Sequence, residues 1–124
     1  MKHGTLWRGE EPLCPRAELA EHARERMRGL LGRASLEASQ AMWIPSCNAV
    51  HTLGMRMPID VVFVDGGGTV LAVHANVARG RFRAHWRARA TVELAAGRAA
   101  ALALRAGDRL RFAEAGVRDG EAAA

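Results

Sequence analysis

The feature that most constrains this chain is a six-residue run, Ile59–Val64, that is apolar at every position except Asp60 and leads directly into Asp65-Gly66-Gly67-Gly68. A strand with one wet face alternates apolar and polar residues. A run apolar on both faces has to be covered above and below, in the middle of a sheet or barrel. The glycines that follow suit turn positions with positive φ, so the run ends in a hairpin. Residues 69–77 therefore return as the partner strand, with Leu71, Val73, Ala75 and Val77 on one face and Val70, Ala72, His74 and Asn76 on the other.

Further short strands surround this pair. Leu6 and Trp7 start one that ends before Glu10-Glu11-Pro12, and Ala41-Met42-Trp43-Ile44 forms another that Pro45 stops. Residues 50–53 and 91–94 read as strands, the latter inward at Val92 and Leu94, and Leu110 and Phe112 mark a last strand after Gly107-Asp108. From Pro15 the pattern is helical: Leu19, Ala23, Met27, Leu30 and Leu31 recur at spacings of three and four, with Glu18, Glu21, Arg24, Glu25 and Arg28 between them. Pro15 suits a first helical position, and Gly29 and Gly32 weaken the helix toward a stop near Arg33. Residues 97–105 are alanine-rich and predict a second, short helix. The fold class that follows is α+β and mainly β. We expect a small curled antiparallel sheet or open barrel, with one flanking amphipathic helix and one short C-terminal helix.

A length of 124 residues is that of a single domain, which buries roughly two-thirds of its unfolded surface. We therefore expect one domain over residues 1–124, with a core over residues 6–113 and a frayed tail over 114–124. No apolar stretch reaches the length of a membrane span, and residues 1–11 lack the apolar run of a secretory signal. Cys14 and Cys47 are accordingly expected as reduced thiols of a cytoplasmic protein. The net charge of +5, carried by seventeen arginines and one lysine, favours polyanions as partners but says nothing of the fold.

Chemistry-bearing residues concentrate between Cys47 and Asp60. A histidine beside a cysteine can create a thiolate nucleophile, but Cys47 and His51 would lie roughly 13 Å apart on an extended strand, so a dyad requires the chain to bend. Cys47, His51, Asp60, His74 and His85 have the atom types of metal ligands, yet their spacing matches no compact metal motif, and no metal or cofactor is assigned. Asp60, on an apolar strand, needs partners: Arg56, His51, Thr52 or loop amides. Tying down the loop over 54–58 is the plainer role, and a His51–Asp60 pair would form a general base.

No catalytic motif is complete. The leading expectation is a ligand-binding or accessory module with a polar pocket lined by Cys47, His51, Thr52, Met55, Arg56 and Asp60, its partner an unidentified small ligand or protein. The enzyme alternative is a hydrolase or transferase using Cys47 or the His51–Asp60 pair. A second alternative is nucleic-acid association through residues 79–89, where Arg79, Arg81, Arg83, Arg87 and Arg89 interleave with Phe82, His85 and Trp86. A solvated edge blunted by charge explains that segment more simply.

Four local patterns occur in order: Arg28-Gly29-Leu30-Leu31-Gly32-Arg33, Met57-Pro58-Ile59-Asp60-Val61-Val62-Phe63-Val64-Asp65, Val92-Glu93-Leu94-Ala95-Ala96-Gly97 and Gly107-Asp108. Together, over about residues 7–112, they resemble the prokaryotic family known as domain of unknown function 192. The resemblance implies a single compact domain of mostly β structure and no established biochemical activity. Many members carry a Trp-Met-Lys-Asn-Thr-like run before the proline, where this chain has His51-Thr52-Leu53-Gly54-Met55. No role resting on that lysine and asparagine carries over.

Overall fold

The computed structural model describes residues 1–22, 25–26 and 29–116. In chain order these form β1 (Lys2–Arg8), β2 (Glu11–Leu19), β3 (Gln40–Pro45), β4 (Ala49–His51), β5 (Ile59–Val64), β6 (Val70–Val77), β7 (Phe82–Ala84), β8 (Ala90–Ala95), a single-turn helix α1 (Arg98–Ala101) and β9 (Leu110–Glu114). Seven strands make one sheet in the order β6-β5-β8-β3-β2-β1-β9, and β4 pairs with β7 in a separate ribbon. All pairs are antiparallel except β2 with β3. No helix among the described residues is long and apolar enough to cross a membrane.

Strand β5 is buried at all six positions, as a run apolar on both faces requires. Val62 and Val64 join Leu6, Val92, Leu94 and Leu110 in one core; Ile59, Val61 and Phe63 join Leu30, Met42, Ile44 and Met55 in a second, on the other face. The hairpin forms where the glycines predict it: Asp65 accepts the Gly68 amide on its carbonyl, and its side chain accepts those of Gly67 and Thr69. Two register shifts against β5 break the simple alternation expected of β6, so that Val70 and Val73 face the first core while Leu71, Ala72 and Val77 face the second.

The sheet is not closed, but its two edges touch at one corner. Thr69 bridges Arg109, the Val70 amide donates to the Asp108 carbonyl (2.7 Å) and the Leu110 amide donates to the Gly68 carbonyl (2.8 Å). Gly68 (φ +85°) is required at this corner, because a Cβ there would overlap the Leu110 carbonyl oxygen.

Two expectations are corrected. The helix expected from Pro15 begins instead as strand β2, followed by helical residues at 25–26 and turns at 29–32; Ala23, Arg24, Met27 and Arg28 lie outside the described residues. The spacing of Leu19, Ala23, Met27, Leu30 and Leu31 that predicts the helix starts at the last residue of β2, whose own buried residues Leu13, Cys14 and Ala17 are set by two register shifts against β1. The sheet is mixed and not purely antiparallel. Ala113 and Glu114 pair with Thr5 and Gly4; of the expected tail, residues 117–124 lie outside the described residues.

Candidate functional site

Strand β8 lies between β5 and β3, and this placement creates the site. Val92 and Leu94 face the first core, so Thr91 and Glu93 face the second. Glu93 stands in register between Met42 of β3 and Val61 of β5, both fully buried, and is itself only 5% exposed. Among the described residues nothing forms a hydrogen bond or ion pair with its carboxylate. Burial pushes its pKa up to about 7, opposed only by the positive charge of Arg33, which is itself held by Glu18 (3.1 and 2.6 Å).

Glu93 opens into a cleft of about 400 Å³. Gly29, Leu30 and Leu31 form one wall, Cys47, Val50, His51 and Met55 the other, with Ile44 beside Glu93 on the sheet. The second wall is fixed from behind. The Thr91 hydroxyl donates to the Cys47 carbonyl (2.9 Å), and the Ser46 amide, at a residue with φ +54°, donates to the Arg89 carbonyl (2.8 Å). Cys47 is half-buried and its thiol donates to the Ala49 carbonyl (3.2 Å), while His51 is exposed at the rim.

Of the six residues expected to share a pocket, Cys47, His51 and Met55 line this cleft. The other three do not. Thr52 is buried with its hydroxyl donating to the Ala78 carbonyl (2.7 Å) and accepting the Arg81 amide (2.8 Å), which ties the turn before β7 to the wall. Arg56 is exposed and outside the lining. Asp60 lies on the opposite face, beside Val62. It accepts the amides of Asn76 (2.7 Å), Gly97 (3.2 Å) and Ala99 (2.8 Å), anchoring the bulge of β6 and the start of α1. A His51–Asp60 pair is therefore not assembled, and the loop that Asp60 was expected to hold is not among its partners.

The remaining candidates are dispersed. His74 packs edge-on against Phe63, with ring centroids 5.6 Å apart, and His85 lies 6.3 Å from the same ring. Burial and the charges of Arg83 and His85 lower the His74 pKa. No group of three or more His, Cys, Asp or Glu among the described residues is arranged to hold a metal ion. The two cysteines are free and belong to different cores. Residues 79–89 run through β7, where Phe82 (64%) and Trp86 (82%) are exposed and the Arg87 guanidinium stacks over Trp86 (5.9 Å).

Glu93 escapes sequence reasoning because Val92 and Leu94 alternate with it as in a strand with one wet face. The available signal was its position between Val92 and Leu94 in a chain whose other strands leave no free face at the centre of the sheet.

Comparison with known proteins gives a fold and a family. A family model described as DUF192, Uncharacterized ACR, matches residues 6–112. A solved protein of unknown function from Novosphingobium aromaticivorans DSM 12444 is 25% identical, with a TM-score of 0.71 over 77% of this chain and 74% of that one. A solved putative transcription regulator from Sinorhizobium meliloti 1021 is 21% identical, with a TM-score of 0.76 over 90% of this chain and 96% of that one. Comparison with curated proteins found no match.

Proposed function

Because the chain belongs to DUF192, a family described as uncharacterised, its function has to be read from its own site, and we propose that the cleft over Glu93 binds a small molecule. In this reading the protein is a ligand-binding or accessory module, with Cys47, His51 and Met55 as contacts and Thr52, Arg56 and Asp60 outside the contact set. The observation that carries it is the Glu93 carboxylate, buried at the base of a cleft with no partner among the described residues. Burying a carboxyl without a partner costs several kcal/mol, a cost that folding alone does not explain and that sites for ligands do. The cleft volume of about 400 Å³ falls within the range of small-molecule sites.

The test is a fragment-library titration followed by amide NMR, before and after alkylation of Cys47. The reagent distinguishes the thiols, because Cys14 is fully buried and its pKa is raised by that burial. Fragments that shift Cys47, His51 and Glu93, and no longer do so after alkylation, support the reading. Hits that fall elsewhere or survive alkylation sink it.

A second reading, binding of single-stranded nucleic acid by the β4–β7 ribbon, is favoured by the exposure of Phe82 and Trp86 among Arg79, Arg81, Arg87 and Arg89. Exposed aromatics offer stacking faces and arginines offer phosphate contacts.

A further inference from the structure

We infer that the cleft selects an organic cation, a primary ammonium group on a short apolar body, with the ammonium seated against Glu93. This rests on the small-molecule reading and adds the ligand's chemical class. The cleft is apolar around its base, where Leu30, Ile44 and Met55 surround Glu93, the one acidic side chain among the described residues of the lining. An anion placed there would meet that carboxylate in a poorly screened setting. A neutral apolar molecule would bury it further and leave it unpaired. An ammonium group answers both problems, because it brings the opposite charge and three donors to an acceptor that has none.

Among the described residues no cation takes this place. Arg33 is engaged in the two-bonded pair with Glu18, and Arg26, at the edge of the cleft, donates to the Glu21 carbonyl (2.6 Å). Directly over the carboxylate stands Gly29, which has no side chain; a Cβ on it would sit 3.2 Å from Glu93 Oε1. The space beside the carboxylate is kept open by a residue that cannot fill it.

The experiment titrates the whole protein at pH 8 with n-hexylamine, hexan-1-ol and hexanoate, for the wild type and Glu93→Gln. The wild type is expected to bind the amine at least about tenfold more tightly than the alcohol, the scale of one hydrogen bond to a charged group, and the acid most weakly. Glu93→Gln should lose the preference for the amine, the ratio of amine to alcohol affinity falling to about one. If the alcohol binds the wild type as well as the amine does, or if Glu93→Gln keeps the preference, the cation assignment is wrong while the small-molecule reading stands. Absence of binding by all three probes also overturns the assignment, and the fragment titration then decides the broader reading by itself. A measurement that needs no variant is the 13C shift of the Glu93 carboxyl carbon, which should move with the amine and not with the alcohol.

Discussion

Gly29 stands over Glu93. A Cβ on Gly29, whose φ is +51°, would lie 3.2 Å from the Glu93 carboxylate oxygen, so the turn after the helical residues 25–26 approaches the sheet at the one place where β8 presents a charge. The contact joins two sequence patterns, Arg28-Gly29-Leu30-Leu31-Gly32-Arg33 and Val92-Glu93-Leu94-Ala95-Ala96-Gly97, that have no local reason to occur together.

Gly29→Ala should therefore be destabilising in two ways, through a left-handed backbone and through crowding of the carboxylate. We expect a loss of about 1–2 kcal/mol in denaturant unfolding. In a Glu93→Ala background the crowding is gone and the loss should be smaller. Equal losses in both backgrounds would mean that only the backbone angle matters.

Glu93 also makes stability depend on pH in a defined window. Its pKa rises from 4.5 to about 7 on folding, so between these values the folded protein holds a proton that the unfolded chain has released. The stabilisation is complete below about pH 4.5 and is lost as pH rises through about 7, a change on the order of 3 kcal/mol. Comparing urea midpoints at pH 5 and pH 8 should show the wild type weakening relative to Glu93→Gln. Parallel pH profiles for the two proteins would contradict the burial of an ionisable, unpaired carboxyl.

Asp60→Ala removes the acceptor of three amides, those of Asn76, Gly97 and Ala99. Leaving the buried Ala99 amide and two part-buried amides without this acceptor should cost about 2–3 kcal/mol. Because these amides lie on the face away from the cleft, NMR shifts should change at Gly97 and Ala99 and stay constant at Cys47 and His51. Large changes at the latter pair would instead make Asp60 part of the site.

The ribbon reading makes its own prediction. A single-stranded oligonucleotide should bind more weakly as salt rises, with a shallower salt slope for Arg81→Ala and a uniform loss for Trp86→Ala, checked by fluorescence anisotropy. Affinity that is insensitive to salt would leave the ribbon as a solvated edge.

The residues that local chemistry governs were legible from the chain. Ile59–Val64 had to be an interior strand because no residue but Asp60 could tolerate water, and the glycines after Asp65 had to turn. Cys47, His51 and Met55 line one cleft because they lie on one short irregular stretch. Strand β2 was not legible, because the helical spacing read from Pro15 onward rested on Leu19 and residues beyond the strand, while register shifts against β1 deny the strand itself a simple alternation. Which amides satisfy Asp60, and which face it points to, depended on α1 arriving from a distant part of the chain. Glu93 is the clearest case. Alternation by itself places it on the opposite side from Val92 and Leu94, but only β3 and β5 at its flanks and the Gly29 turn above it make that side an interior. Sequence determines where a side chain points along its own strand; the tertiary structure decides whether water or protein is waiting there.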